Sequence, residues 1–439
     1  MIDPKAGSSE NVRFAGDINV AEVTITSLIT QKKFNVSNQL LTIQIFEDMF
    51  SPFISGSLIF KESLDFASNF PFVGEEVIDL KIFTPTLDKT KPKDGVIKGR
   101  FYIYKMADRD YLAERSLVYQ LHFISIEAIN DINSKLSKGF DGKISDIAKQ
   151  LIGEDGLNTN KYSNVEETGN KTKYVSNFWS PVRNLNFICK KAQNKNNSPT
   201  YVFFENRVGF NFVSLDKLNS QQPIQYFQYN NSQDTVTPGG SSKRNLDIDY
   251  RRITELNIPI THDYMDRVTG GAYGSQMLFM DLAKKEYYNL KHSFLAGWGA
   301  DETRLNKFPV ASNQIYTTFR ASMYNDTIEN TLFTDYDEVS DVRIRQKRVS
   351  RLKQAEAYKI NIVVAGRTDY TVGQVANVKS YKAEPIKGSD NDEDILDNIL
   401  SGNYLISTIN HVIDREKHEC HIQLIKDSLI VNLDKAATK

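Results

Sequence analysis

Apolar and polar positions alternate along the first part of the chain with the period of two that a half-buried strand requires. Leu41, Ile43 and Ile45 alternate with Thr42 and Gln44, and Ile78, Leu80 and Ile82 alternate with Asp79 and Lys81. Further strands are predicted over 54–60, 99–106 and 117–126, so the chain to about residue 126 is expected to be β. The segment 84–98, rich in Pro, Lys and Asp, is an exposed loop between two of these strands. The period then changes. Ile144, Ile147, Ala148, Leu151 and Ile152 make a helical stripe that Gly153 stops. Ser180 followed by Pro181 announces a second helix as an N-cap and first-turn proline, with Val182, Leu185, Ile188, Cys189 and Ala192 on one face. The runs YVFFE and VGFNFVSL on either side of Asn206 and Arg207 predict a hairpin packed on that helix, completing a small α+β unit.

Residues 232–243 carry one Pro and two Gly among small polar residues and are expected to be a linker or loop. From Arg244 to Ile260 the pattern is again strand-like; a helix is predicted near 341–358, and the last part of the chain is β. That last part echoes the first. Phe72-Val73-Gly74 precedes the strand at 77–83, and Thr371-Val372-Gly373 precedes the strand at 375–378. A hydrophilic loop follows in each, then a glycine opening an aromatic-aliphatic strand, at Gly99 and at Gly402. A polar turn, at Asp108 to Asp110 in one copy and Asp414 to Glu416 in the other, leads to the final strands 118–124 and 420–425. The repeated order predicts a duplicated β domain.

Composition narrows the function. The 439 residues, with 40% hydrophobic and 25% charged, exclude a disordered or collagen-like chain and allow about three domains. A net charge of −1 provides no whole-molecule attraction to nucleic acid or anionic lipid. The first twenty residues lack the apolar stretch of a signal peptide, and no window approaches a membrane span, so a chain without leader or membrane anchor is expected. Cys189 and Cys420 sit in apolar patterns and are expected to be buried and unpaired.

Candidate chemistry is sparse. His411, His418, Cys420 and His421 are of metal-ligand type, but on a strand over 418–425 His421 faces away from His418 and Cys420, so convergence is not expected and no metal or other cofactor is predicted. Asp390, Asp392 and Asp394 have the opening spacing of a calcium loop, yet Ile395 stands where its glycine belongs and Ser401 where its bidentate glutamate belongs. They are expected to form a solvated acidic loop. The glycines of Gly270 to Ser275 lack a phosphate-binding pattern and predict a turn. No nucleophile elbow, zincin motif or Cys-x-x-Cys is present, and no catalytic residue is assigned. Arg343, Arg345, Lys347, Arg348, Arg351 and Lys353 place six cations on one predicted helix whose apolar seam is Val342, Val349 and Leu352. The basic remainder is expected to be exposed, and Arg345 and Arg348 are the candidate contacts for an acidic protein partner.

In order, NFWSPVRNLNFICKKA with TYVFFENRVGFNFVSLDKL, GAYGSQMLFMDLAKKEYYN, VRIRQKRVSRLKQAEAYKINIVVAG, TVGQVANV and GNYLISTINHVIDREKHECHIQLIKDSL resemble the baseplate hub proteins of T-even-type contractile phage tails, over nearly the whole chain beyond residue 12. The resemblance implies a mainly β fold with an α+β insertion: a tube-type β-barrel domain over 12–126, a peripheral α+β domain from 127–245 and 273–346, and a second tube-type β domain from 246–272 and 347–434. It implies a homotrimer, a symmetry adaptor in the virion tail that joins the sixfold tail tube protein to the threefold central spike protein. Other baseplate proteins are the expected further partners, and DNA passes only in transit through the central channel. The alternatives are the hub of a phage-like contractile injection particle, or a glycan-active or glycan-binding tail protein, which an exposed aromatic cluster around Trp298 would favour.

Overall fold

The structure is a computed structural model that describes residues 12–432 apart from 63–69, 71–72, 86, 88–94, 114–115, 230–245, 261–262, 282–284, 297, 299–302, 312–317, 324–337, 383–395 and 416. Most of the 84–98 loop, the 232–243 segment and Asp390, Asp392 and Asp394 lie outside the described residues.

The alternating N-terminal sequence forms seven strands: β1 (Asn19–Ser27), β2 (Lys33–Asn35), β3 (Leu40–Asp48), β4 (Ser55–Glu62), β5 (Glu76–Phe83), β6 (Val96–Ala113) and β7 (Ser116–Ser125). They pair in the order β3-β4-β7-β6-β5-β1-β2, every pair antiparallel. Because side chains alternate across a strand, Ile43, Ile45, Leu58, Phe60, Ile78, Leu80, Leu121 and Phe123 gather in one core while Thr42, Gln44 and His122 take the opposite face. Each such aliphatic side chain removed from water contributes roughly 1.5–3 kcal/mol. The polar triplet Asp108 to Asp110 lies inside β6 and not in a turn, because β6 runs on to Ala113. β7 ends at Ser125, since Ile126 opens a helix.

The insertion begins with α1 (Ile126–Asn133), β8 (Gly139–Lys143), α2 (Ile144–Ile152), β9 (Tyr162–Val165), β10 (Lys171–Val175), α3 (Pro181–Lys191), β11 (Tyr201–Asn206), β12 (Gly209–Ser214) and α4 (Leu215–Asn219). All five residues of the predicted α2 stripe are buried, and Ser180 caps α3 by accepting from the Arg183 N–H at 3.3 Å. The β11–β12 hairpin is buried along its whole length. Phe203, Phe210 and Phe212 face α2 and α3, whereas Val202, Phe204 and Val213 join the core of the C-terminal strands. A strand covered on both faces has no solvent side, which explains its unbroken apolar run.

The remaining elements are β13 (Tyr226–Tyr229), α5 (Leu246–Arg251), β14 (Ile253–Ile260), α6 (Tyr264–Gly270), β15 (Gly274–Asp281), β16 (Glu286–Ser293), β17 (Phe308–Pro309), β18 (Thr318–Met323), α7 (Glu338–Ala355), β19 (Tyr358–Ala365), β20 (Val375–Ser380), β21 (Gly402–Asp414), β22 (His418–Lys426) and β23 (Ser428–Leu429). Part of the strand-like text from Arg244 is thus helix α5. The glycines at 270 and 271 close α6, Gly271 taking the left-handed cap at φ +81°. β15 pairs with β16 and β18 in a small separate sheet.

The C-terminal strands repeat the N-terminal order. β14-β19-β22-β21-β20 matches β3-β4-β7-β6-β5 strand for strand, with the same antiparallel pairings. Two of the irregularities coincide as well. The register shift between Leu40 and Thr42 recurs between Ile253 and Glu255, and that between Ile103 and Lys105 recurs between Ile406 and Thr408. The turns entering β5 and β20 both contain a glycine at φ +87°, Gly74 and Gly373. In each, a side chain three residues on closes the turn: Glu76 accepts from the Val73 N–H at 2.9 Å, and Gln374 from the Thr371 N–H at 3.0 Å. β3 also pairs antiparallel with β21, so both units lie in one 13-stranded sheet. Among the described residues no helix is long and apolar enough to cross a membrane.

Candidate assembly surfaces

The seam between the two β units is built from β3 and β21, with Ile45 opposite His411 and Ile43 opposite Ile413. Ile43, Ile45, Ile409 and Ile413 are all essentially inaccessible there, and Ile413 enters the core of the first unit. The repeat provides a second copy of each half of this seam, and among the described residues no strand pairs along either. β14, the counterpart of β3, ends the sheet. Its Leu256 and Ile258, in the places of Ile43 and Ile45, are only half-buried. β6 is the counterpart of β21. β5 pairs with it only from Val96 to Ile103, which leaves the same side of the strand from Lys105 onward without a strand partner. Met106, in the place of the buried Ile409, is 40% exposed, and beyond the register shift after Ala107 it is Arg109 and Tyr111 that stand where His411 and Ile413 do.

The sheet face that bears Thr42 and Gln44 is polar and carries charges of both signs, among them Asp79, Lys81 and Arg100 in the first unit and Glu255, Lys359 and Glu419 in the second. Asn361, Thr408, Asn410 and Gln423 continue it across the second unit, and Gln423 donates to the Asn361 side-chain oxygen at 3.3 Å.

The basic helix α7 departs from expectation. Its buried residues are Ile344, Gln346, Ser350, Arg351, Gln354 and Ala355, a face more polar than apolar, while Val349 and Leu352 are half-buried and the Val342 side chain lies outside the described residues. Arg351 is 2% exposed. It reaches Asp427 at 3.2 Å and Asp216 at 3.1 Å and donates to the Thr303 carbonyl at 3.2 Å. Asp427 also lies 3.6 Å from Arg304, and Asp216 accepts from the Thr200 hydroxyl at 3.1 Å and the Thr303 N–H at 2.8 Å. This network joins α7, α4 and the end of β22, and buried charges persist because each has a partner. Apolar periodicity could not disclose it; the only trace is Asp216 and Asp427 standing next to strongly apolar runs.

Of the two candidate contacts, Arg345 is exposed, whereas Arg348 is half-buried and donates to the Pro199 carbonyl at 2.8 Å. Burial holds the Arg348 pKa below its ordinary value. Both line a cleft of about 580 Å³ between α3, α6, α7 and β15, whose apolar lining includes Phe187, Met277 and Leu352 and whose cations include Lys190 and Lys191. A second cleft of about 560 Å³ lies between the first β unit and the insertion. There Lys161 bridges Glu127 at 2.7 Å and Glu205 at 2.6 Å, and those carboxylates keep its pKa raised despite burial. Glu205 also accepts from the Ile54 N–H at 3.0 Å, so this pair fastens the insertion to the sheet.

Trp298 is half-buried against Phe294, its indole N–H donates to the Lys307 carbonyl at 3.3 Å, and Arg304 covers its ring. It forms no open aromatic platform. Both cysteines are buried and free, and burial pushes the Cys189 thiol up to about 12. His421 is exposed and faces away from His418 and Cys420, as alternation requires. The structure nevertheless brings His411, His418 and Cys420 together in the core, because His411 arrives from the neighbouring strand.

Neither a protein-family model nor a curated protein matches the sequence. The fold is similar to that of a tail protein from Neisseria meningitidis MC58, with a TM-score of 0.54 at 11% identity over 92% of this chain and 96% of that one. It is also similar to the 43 kDa tail protein of prophage MuSo2 from Shewanella oneidensis, with a TM-score of 0.54 at 9% identity over 93% of this chain and 99% of that one. The chain therefore has a phage-tail protein fold that is mainly β.

Proposed function

We propose that this chain is a structural hub of a contractile-tail baseplate, and that copies close head to tail into a ring by repeating between chains the seam that β3 and β21 make within one. The observation that carries this reading is the uncovered counterpart of each half of the seam. Two homologous units joined by one seam leave one edge of each kind free, and a heterologous contact of this type closes a ring when the rotation allows. The step that carries the first unit onto the second places β14 of one copy against residues 105–111 of β6 in the next, with Arg109 opposite Ile258 as His411 lies opposite Ile45. Three chains then present six similar β units, a pseudo-sixfold face for a tail tube above a threefold spike. Asp108 and Asp110, both exposed, suit an edge that must stay soluble before assembly, since charges along an edge strand suppress indiscriminate strand pairing.

The polar face bearing Thr42, Gln44, Asn361 and Asn410 lines the channel in this arrangement. Arg345 and the cleft beside it are the surface for a further baseplate protein, one offering carboxylates and a small apolar anchor. The chain has no catalytic role in this reading, and the same ring would serve a phage tail or a related injection particle.

The test is the solution mass together with the Met106→Asp variant. A particle of three 50.0 kDa chains with a central opening is expected for the wild type. In Met106→Asp it should fall to single chains whose melting temperature is unchanged, because Met106 is exposed in the isolated chain. A ring that survives the substitution, or a wild type that stays monomeric at high concentration and in the presence of its tail tube protein, overturns the proposal.

A further inference from the structure

We propose that His411, His418 and Cys420 form a structural binding site for one thiophilic transition-metal ion of the zinc class, pinning β21 to β22 beside the seam between the two β units. His411 lies directly opposite Cys420 in the β21–β22 pairing, and His418 precedes Cys420 by two residues on the same face of β22. Three side chains on two adjacent strands thus point to one place.

Their donor atoms make a compact triangle. His411 Nδ1 is 3.0 Å from His418 Nε2, Cys420 Sγ is 3.3 Å from His411 Nδ1, and Sγ is 3.5 Å from His418 Nε2. A tetrahedral zinc ion with nitrogen at about 2.0–2.1 Å and sulfur at about 2.3 Å holds two nitrogens about 3.3 Å apart and a nitrogen and sulfur about 3.6 Å apart. The observed edges match these within a few tenths of an ångström, and a small relaxation admits the ion. The Arg367 carbonyl oxygen, 3.9 Å from Sγ, is a candidate for the fourth position.

The surroundings favour an ion over a plain hydrogen-bonded cluster. None of the three side chains is more than 1% exposed. Without an ion, His411 Nδ1 and His418 Nε2 share a single ring proton, and the Cys420 thiol donates its own proton to the remaining nitrogen lone pair or to the Arg367 carbonyl. His411 Nε2 and His418 Nδ1 form no hydrogen bond of ordinary geometry, although the Tyr370 backbone lies near enough to His411 to favour its protonation. Burial disfavours the charged form of both imidazoles. Binding would release the Cys420 thiol proton to solvent and leave a thiolate on the metal. The charged neighbours are Arg207, which opposes a cation, and Glu47, Asp369 and Glu419, which favour one.

Room for the cluster is built into the backbone. A Cβ on Gly366 would lie 2.3 Å from the His418 ring, so only glycine leaves space for that imidazole. The His418 backbone is held from both sides, its N–H donating to the Gly16 carbonyl at 2.9 Å and its carbonyl accepting from the Gly366 N–H at 2.8 Å. The first unit has no such cluster, since Leu117 and Tyr119 occupy the places of His418 and Cys420 and Arg109 that of His411.

The test uses the full chain, expressed with zinc and then refolded with Zn(II), with Co(II) or with chelator. The expected results are about one zinc per chain by elemental analysis, a thiolate-to-cobalt absorption band in the Co(II) form, and a melting temperature several degrees lower after refolding in chelator. Cys189→Ser should keep all three signals, because that thiol lies in α3, and Cys420→Ser should lose them. If Cys420→Ser fails to fold, the zinc content and cobalt band of the wild type still decide. A wild type that carries no stoichiometric zinc, shows no cobalt band and melts at the same temperature with and without chelator overturns the proposal.

Discussion

The two β units share five strands in the same order and the same two register shifts, yet they differ in what covers their edges and what fills their cores. In the first, β3 is covered by β21 from within the same chain, and an aliphatic and aromatic core is joined by the buried carboxylates Glu47, Glu62 and Glu76. In the second, β14 is open, and its surroundings include the His411 cluster, the Arg351 network and Lys426. One strand order therefore tolerates a sealed apolar edge and an open one. Covering the edge is a matter of neighbours and not of the unit itself.

The largest expected effect concerns the polar material packed around the second unit. Arg351→Ala leaves Asp216 and Asp427 buried without their shared guanidinium, and should destabilise the chain by about 3–5 kcal/mol in denaturant unfolding. A loss below about 1 kcal/mol would mean that Arg304 and water take over the neutralisation, and that the network does not tie α7 to the second unit.

The edges are compared directly by truncating equivalent residues. Ile45→Ala, at a fully buried seam position, should cost about 2–5 kcal/mol whether the chain is isolated or assembled. Ile258→Ala, its half-buried counterpart, should cost about 1 kcal/mol in the isolated chain and more than twice that in the ring. Equal costs for Ile258→Ala in both states would show that β14 stays uncovered on assembly.

A smaller effect separates the cores by pH. Lys426 is buried between the Tyr358 and Tyr404 rings and donates to the Ile399 and Ser401 carbonyls; burial lowers its pKa to about 7 from an ordinary 10.5. Between those values the unfolded chain holds the extra proton, so this residue makes stability rise with pH across the window. The wild type should gain on Lys426→Met by up to about 1.4 kcal/mol per pH unit from about pH 7 to pH 10. Parallel stability curves for the two proteins would mean that the amine keeps its charge when folded.

The smallest effect is on α7. Arg345→Glu should change stability by less than about 0.5 kcal/mol while weakening capture of an acidic neighbour, because the side chain is exposed. Arg348→Glu should cost about 1–3 kcal/mol, since it leaves the Pro199 carbonyl without its donor and buries a carboxylate in its place. If the two substitutions destabilise equally, the split of this helix into an outer and an inner arginine is wrong.

Alternation of Ile43, Ile45, Ile78, Leu80 and Ile82, the stripe of α2, the Ser180 cap and the repeated glycines at 99 and 402 were legible from sequence because each depends on residues within a turn or strand of one another. They established the mainly β class, the α+β insertion and the duplication. The partners of long-range contacts were not legible. Arg351 counted as one more surface cation because Asp216 and Asp427 lie 135 and 76 residues away in the chain. His421 was rightly excluded by strand alternation, but His411 was excluded with it, since alternation describes one strand and the third ligand comes from the next. Strand edges follow the same rule. The sequence by itself determined which residues form strands and which face each presents, because those are local consequences of backbone geometry and side-chain polarity. Which edge is covered, which cation is buried and which imidazoles meet a thiol were decided only by the tertiary structure, because register between distant strands is a property of the whole sheet.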